Sequence, residues 1–276
     1  MNKRLFRYLC FTIIVAFPCL SLNAQKQGAE DRSSAVSDAV NPLAFITKLQ
    51  IQPNFTWKAA DAKLINLTTR IIQPTASIVL PFIKSKNPSD MYTIYRLELP
   101  LIGQSFPANK ALDGVGLSDI SIADIVVFKK KFGLLGVGPS LIIPSMNPEQ
   151  VSSRKWSAGL GTVYFNTRTK GFMWGALLQQ FFNIGGDMSR PNQNFMLVQP
   201  IVNKIFSGGR FISFGSIFNF NWTKNEYAFP LGINYGQAFA KNLSILIGPE
   251  YMLSGPNKDD ITFRFQINTM FPPSKK

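Results

Sequence analysis

Seven side chains in this sequence combine charge or hydrogen-bonding capacity with a position opposite an apolar face: Arg70, Arg96, Glu98, Glu250, Arg264, Gln266 and Asn268. Three guanidiniums and two carboxylates can satisfy one another, or they can line a path for a small solute. Both readings stay open at this stage. Histidine is absent from the chain. That excludes histidine-based triads, histidine-ligated zinc or haem, and imidazole general bases. The serines are therefore left without the base that an outer-membrane phospholipase type of mechanism needs. No catalytic residue, metal ligand set or cofactor is expected, and an enzyme is disfavoured.

Other signals are weaker. Gly136-Val137-Gly138-Pro139 has glycine spacing but lacks the Lys-Ser/Thr of a phosphate loop and sits inside an apolar run. Asn257 with Asp259 and Asp260 offers oxygen ligands, yet a solvated loop is the simpler reading. The Asn-X-Ser/Thr triplets at Asn54, Asn66 and Asn242 carry little meaning in a chain of bacterial type.

The element that sets the pattern is the last one, Ile261–Phe271. Ile261, Phe263, Phe265, Ile267 and Phe271 fall on one face when counted in twos, and Thr262, Arg264, Gln266 and Asn268 fall on the other. Such a strand suits a soluble sandwich, with its apolar face in the core, or a membrane barrel, with that face in lipid. Composition favours the barrel. The chain has 46% hydrophobic residues and 24 phenylalanines but only 16% charged residues, against about 25% in an ordinary soluble domain.

Residues 1–24 read as a secretory signal peptide. Lys3, Arg4 and Arg7 supply its positive start, 9–22 its apolar run, and Ala24 a small residue for cleavage. Its removal lowers the formal charge of +14 by three and takes away both cysteines, Cys10 and Cys19. The positive balance contains no long Lys/Arg run and no reader motif, so nucleic acid is not an expected partner. Residues 25–44 are small and polar and read as a flexible periplasmic segment.

Twelve candidate strands follow within a barrel at 45–271: 46–57, 64–83, 91–102, 117–128, 132–143, 154–165, 171–182, 195–206, 210–222, 227–239, 243–253 and 261–271. Residues 272–276 form a short tail. Each strand has about the length that crosses a bilayer at a tilt, and an even count is the rule for single-chain barrels. The connections 84–90, 129–131, 166–170, 207–209 and 240–242 are mostly tight, whereas 103–116, 144–153 and 183–194 are longer and polar. Short turns at one end and long loops at the other are a barrel signature. The connections 59–63 and 223–226 are short exceptions. Leu97, Leu99 and Leu101 oppose Arg96 and Glu98; Ile65, Leu67 and Ile71 oppose Asn66, Thr68 and Arg70. The run 132–143 is apolar on both faces and its phase stays open. Prolines 53, 74, 100, 139, 200, 230 and 249 predict kinks or bulges, since each removes a ladder donor. Trp57, Phe82, Tyr92, Trp156, Trp222, Tyr227, Tyr251 and Phe271 are expected in aromatic girdles.

Short landmarks add a family resemblance. They are Asn41-Pro42-Leu43-Ala44, Ile72-Gln73-Pro74, Tyr95-Arg96-Leu97-Glu98-Leu99-Pro100 and Gly116-Leu117-Ser118-Asp119-Ile120. Gly136–Ser140, Lys155-Trp156-Ser157-Ala158-Gly159, Phe229-Pro230-Leu231-Gly232, Tyr251 and Arg264-Phe265-Gln266 complete the set. Together, over about 41–271, the chain resembles the phenol-degradation (MetA-pathway) transporter-like outer-membrane family. The resemblance implies an outer-membrane β-barrel passing small, often hydrophobic or aromatic, compounds.

The expectation is an all-β, antiparallel transmembrane barrel of about 12 strands in the outer membrane of a Gram-negative-type bacterium. Its partners are membrane lipid, the outer-membrane assembly machinery and a small-molecule solute. The alternative is a non-conducting structural or adhesion barrel with a plugged lumen. Closure would set Ile261–Phe271 beside the first strand, with Arg264 near it and not far from Arg70.

Overall fold

The computed structural model describes residues 29–75, 91–146 and 148–271. The signal peptide, the connection 84–90 with Phe82, and the tail 272–276 lie outside the described residues.

Alternating apolar and polar residues can satisfy every backbone group in an apolar medium only if the sheet has no edge, and the described strands meet that condition. In chain order they are β1 (Thr47–Trp57), β2 (Lys63–Thr75), β3 (Met91–Ser105), β4 (Gly114–Leu117), β5 (Ile120–Lys130), β6 (Gly133–Ile143), β7 (Lys155–Asn166), β8 (Phe172–Gly186), β9 (Asn194–Ile205), β10 (Arg210–Phe214), β11 (Phe218–Asn221), β12 (Glu226–Gly232), β13 (Asn234–Ala240), β14 (Leu243–Ser254) and β15 (Ile261–Phe271). All pairings are antiparallel between neighbours, and β15 returns to β1. Three wall strands consist of two segments each. β4 prolongs the line of β5 along β3, β10 and β11 share β9, and β12 and β13 share β14. The wall is thus a closed barrel of twelve strands, as the sequence predicts.

The interruptions have a common cause. Pro200 in β9 faces the break at 215–217, between the pairs Val202–Phe214 and Val198–Phe218. Pro249 in β14 faces the break at Ile233, between the pairs Tyr235–Ile247 and Gly232–Glu250. A proline offers no N–H to the strand beside it, so the ladder opens opposite each one. A register shift accompanies Pro230 as well.

The faces divide as the alternation predicts. In β15, Ile261 and Phe271 are about half exposed on the outer face, while Asn268 is 2% exposed on the inner one. The partners of β6 settle its phase: Leu134 pairs with buried Phe165 and Gly136 with buried Val163, so Gly136, Gly138 and Ser140 look inward. At Gly138 a side chain is excluded, because its Cβ would stand 1.9 Å from the carbonyl oxygen of Asp124. That packing need, rather than phosphate binding, accounts for the glycines there.

Trp57, Trp156, Trp222, Tyr227, Tyr251 and Phe271 are exposed outward near strand ends. Tyr92 departs from the expected girdle. It is 2% exposed inside the barrel, where its hydroxyl donates to the Leu43 carbonyl. It opposes Val127, which is fully buried in the same cluster.

Within 25–44, where composition gives no pattern, residues Ala29–Val40 form a helix, α1. It packs against β10, β13, β14 and the turn Ser207–Gly209. Val36 is fully buried, and Ala35 and Ala39 nearly so, in one cluster with Phe211, Ala238, Leu246 and Met270. Pro42 cannot continue the helix, and the Asn41 side chain accepts from the Leu43 amide at 2.9 Å. Small residues carry too little apolar surface to announce a helical stripe. They suit a helix that enters a narrow barrel mouth.

Candidate functional site: the barrel lumen

The inner faces of β1, β2, β3, β14 and β15 carry the polar groups, and the closure of the barrel joins them. Arg70 grips Glu98 with two nitrogens, Nε to Oε1 at 2.8 Å and Nη2 to Oε2 at 3.3 Å. Its Nη1 donates to Gln50 Oε1 at 3.0 Å. Gln50 then donates to Asn268 Oδ1 at 2.8 Å, across the seam between the first and last strands. Asn268 also accepts from Gln266 at 2.6 Å and donates to Ser244 at 3.0 Å. Arg96 pairs with the same carboxylate of Glu98. A second unit stands nearby: Arg264 Nη2 lies 2.9 Å from Glu250 Oε2, which accepts the Ser216 hydroxyl at 2.6 Å. Ser216 belongs to the break opposite Pro200, so the interruption of the wall supplies an inward donor.

All seven predicted residues therefore point into one interior and join two ion-pair and amide networks through named bonds. Gln266 enters through Asn268. The expected neighbourhood of Arg264 and Arg70 needs refinement. Arg264 pairs in register with Asn54, whereas Arg70 is level with Gln50 and Asn268. Both arginines nonetheless line the same cavity, about 160 Å³ in volume. Glu98 lines a second cavity of about 130 Å³ that shares Arg96, Leu177, Gln199 and Ile217 with the first.

Several lumen groups were not singled out from sequence. Lys48 is 1% exposed and its ammonium donates to the carbonyls of Asp38, at 2.7 Å, and Asn41. The spacing Lys48, Gln50, Gln52 on one face of β1 was a readable signal. Asn203 is fully buried, and neither its Oδ1 nor its Nδ2 has a partner among the described residues. Its place inside β9 shows only once β9 is paired with β8.

The cavity has an asymmetric wall. The arginines and lysine come from β15, β1, β2 and β3, while Leu177 and Ile201 come from β8 and β9 on the far side of the ring, where Gln199 and Asn203 of β9 flank Ile201. The end of the lumen nearest α1 is filled by Leu43, Ile72, Tyr92, Ile94, Val127, Phe165 and Met173. α1 and the segment after it contribute Ala39, Val40 and Pro42 to the cavity lining. Burial raises the Asp38 carboxyl above its ordinary value, an effect opposed by the Lys48 ammonium.

At the opposite end the loops are tied to one another. Arg154 meets Glu149 at 3.0 Å and Asp187 at 3.2 Å, and Asp119 accepts from Ser152 at 2.7 Å and from the Ser153 amide. Hydrogen bonds from the Ser189 hydroxyl and amide hold Asp187 below the usual carboxylate range, helped by Arg154 and Arg190. The oxygen cluster at 257–260 is already engaged. Lys58 Nζ lies 2.6 Å from Asp260 and 3.1 Å from Asn257, and Tyr251 donates to Asp259.

No family model matches the chain, and no curated protein matches it. Solved structures do. An outer-membrane channel from Pseudomonas putida F1 superposes with a TM-score of 0.65 at 12% identity, covering 85% of this chain and 98% of that one. The NanC porin gives 0.52 at 9% identity, covering 80% and 98%. At such identities the likeness is one of fold. A closed antiparallel barrel with an apolar outer face, and these neighbours, make the chain an outer-membrane barrel of Gram-negative type.

Proposed function

We propose that the protein is an outer-membrane channel or transporter for small solutes, hydrophobic and aromatic ones included. The observation that carries this reading is the cavity of about 160 Å³ inside the barrel, with cationic groups on one side and the aliphatic Leu177 and Ile201 across from them. A lumen serving only to hold the wall together would gain more from a uniformly packed interior. The finer likeness to the phenol-degradation transporter-like family is supported by where its landmarks fall. The 95–100 landmark contributes Arg96, and the 264–266 landmark contributes Arg264 and Gln266, to the cavity lining. The outer face meets lipid, insertion relies on the outer-membrane assembly machinery, and no catalytic role is assigned.

A specific observation favours a second reading, a non-conducting barrel. The buried residues of α1 and the cluster around Tyr92 and Phe165 fill one end of the lumen. Planar-bilayer recording decides between them. A folded, purified barrel is expected to show discrete conductance steps and to pass small aromatic solutes into liposomes. Electrically silent membranes, together with liposomes impermeable to those solutes, would leave the plugged barrel standing.

A further inference from the structure

The polar belt is not charge-balanced. Arg70 and Arg96 share the single carboxylate of Glu98. Arg264 has Glu250, and that carboxylate is also occupied by Ser216. Lys48 adds a further cation, its hydrogen bonds spent on backbone carbonyls. Even with Asp38 of α1 counted against Lys48, positive charge is in excess.

Donors are also left over. Arg96 and Arg264 each commit one terminal nitrogen to a carboxylate, and their buried Nε–H groups find no acceptor among the described residues. Asn203, fully buried on the same cavity, leaves its Nδ2 donor, as well as its Oδ1, without a partner among the described residues. Buried donors without acceptors are rare in a folded chain, and three around one cavity mark a place for an acceptor. Opposite the two arginines stand the aliphatic side chains of Leu177 and Ile201, with Gln199 and Asn203 beside Ile201 on β9.

We propose that this cavity is a binding site for a small organic carboxylate with a single-ring or similarly compact apolar body. The carboxylate would be drawn to the Arg96 and Arg264 guanidiniums that line the cavity, with charge-assisted hydrogen bonds to them. The apolar body would lie on Leu177 and Ile201. Size agrees, since a cavity of about 150 Å³ holds one benzene molecule. An inorganic anion would use the donors but leave the aliphatic wall unmatched, and a neutral ring would do the reverse. The proposal rests on the channel reading only for its meaning in transport. The site itself is defined by the lumen.

The test uses the full-length barrel folded in detergent, with benzoate and benzyl alcohol as probes of nearly equal size, titrated by calorimetry at neutral pH. Benzoate is expected to bind about ten- to hundredfold more tightly, the value of charge-assisted hydrogen bonding. Arg96→Gln and Arg264→Gln should each shrink that ratio at least about fivefold, with heat-modifiable migration on a gel confirming that the variants fold. Equal binding of the two probes, or none by benzoate, overturns the proposal, and the wild-type comparison alone suffices if a variant fails to fold. Conductance without any benzoate preference would remove the anion site and leave the channel. Benzoate binding to a barrel that never conducts would keep the site and remove the channel.

Discussion

Lys48 reaches from the first wall strand to the end of the lumen helix, its Nζ 2.7 Å from the carbonyl oxygen of Asp38. The same ammonium donates to the carbonyl of Asn41. The last carbonyls of a helix lack amide partners and carry the negative end of its dipole, so a buried cation there serves both needs. Replacing Lys48 with methionine keeps most of the bulk and removes the donors. The Asp38 carbonyl, then orphaned, costs about 1–3 kcal/mol, whereas that of Asn41 keeps the Ala44 amide at 3.3 Å. The expected outcome is a barrel of unchanged yield whose helix leaves the lumen more often, read as larger and noisier conductance in planar bilayers. Conductance identical to wild type would show that apolar packing of Val36 alone holds the helix.

The Asp38 carboxyl gives that docking a pH dependence. Burial raises its folded value above the ordinary one, although Lys48 pulls the other way. A raised carboxyl binds its proton more tightly when docked than when free. The associated stability is therefore fully present below the ordinary aspartate value and is lost as pH rises through the raised one. Helix docking should be tighter in mildly acidic buffer than at neutrality, with conductance rising from about pH 4 upward. Asp38→Asn, which cannot titrate, should flatten this dependence. A wild-type profile that is flat between pH 4 and 7 would contradict the assignment.

Arg264 and Glu250 form a pair that is mostly enclosed, with side chains 14% and 15% exposed. Arg264→Ala leaves Glu250 with the Ser216 hydroxyl as its only named partner and turns a neutral unit into an anionic one. In a conducting lumen the ratio of chloride to potassium permeability should fall, by roughly tenfold for a change of about 1.4 kcal/mol in the local barrier. Reversal potentials under a salt gradient measure this. An unchanged reversal potential would place the ion path away from Arg264.

Much of this was readable because a barrel obeys one rule along every strand. In β15 a period of two separates Phe263 and Phe265 from Arg264 and Gln266, and no tertiary information is needed to do so. The same rule placed Arg70, Arg96, Glu98 and Glu250 on the inner face before any pairing was known. It failed where a face carries no contrast. The run 132–143 needed the partners of Leu134 and Gly136 to fix its phase, and Tyr92 needed its opposite, Val127, to reveal that it looks inward. Helix α1 was hidden for a different reason, since the buried residues described in it are two alanines and one valine. Charge balance was not legible either: that two arginines would share Glu98 depends on the register of β2 against β3, where Arg70 meets Glu98 and Ile72 meets Arg96.

The outer face is tested most directly at Phe265, which pairs with Ile247 of β14. Its neighbours in sequence, Arg264 and Gln266, both line the cavity, so strand alternation turns Phe265 away from the lumen. An arginine on the lipid-facing side costs about 2–4 kcal/mol near the bilayer midplane and much less near the interfaces. Position 265 lies in the middle of β15 (Ile261–Phe271), so the larger cost applies. Phe265→Arg should lower the fraction of protein recovered as folded, heat-modifiable barrel in outer membranes, whereas Phe265→Leu should not. Should the arginine variant insert as well as wild type while Gln266→Leu abolishes insertion, the two faces of β15 would have to be exchanged.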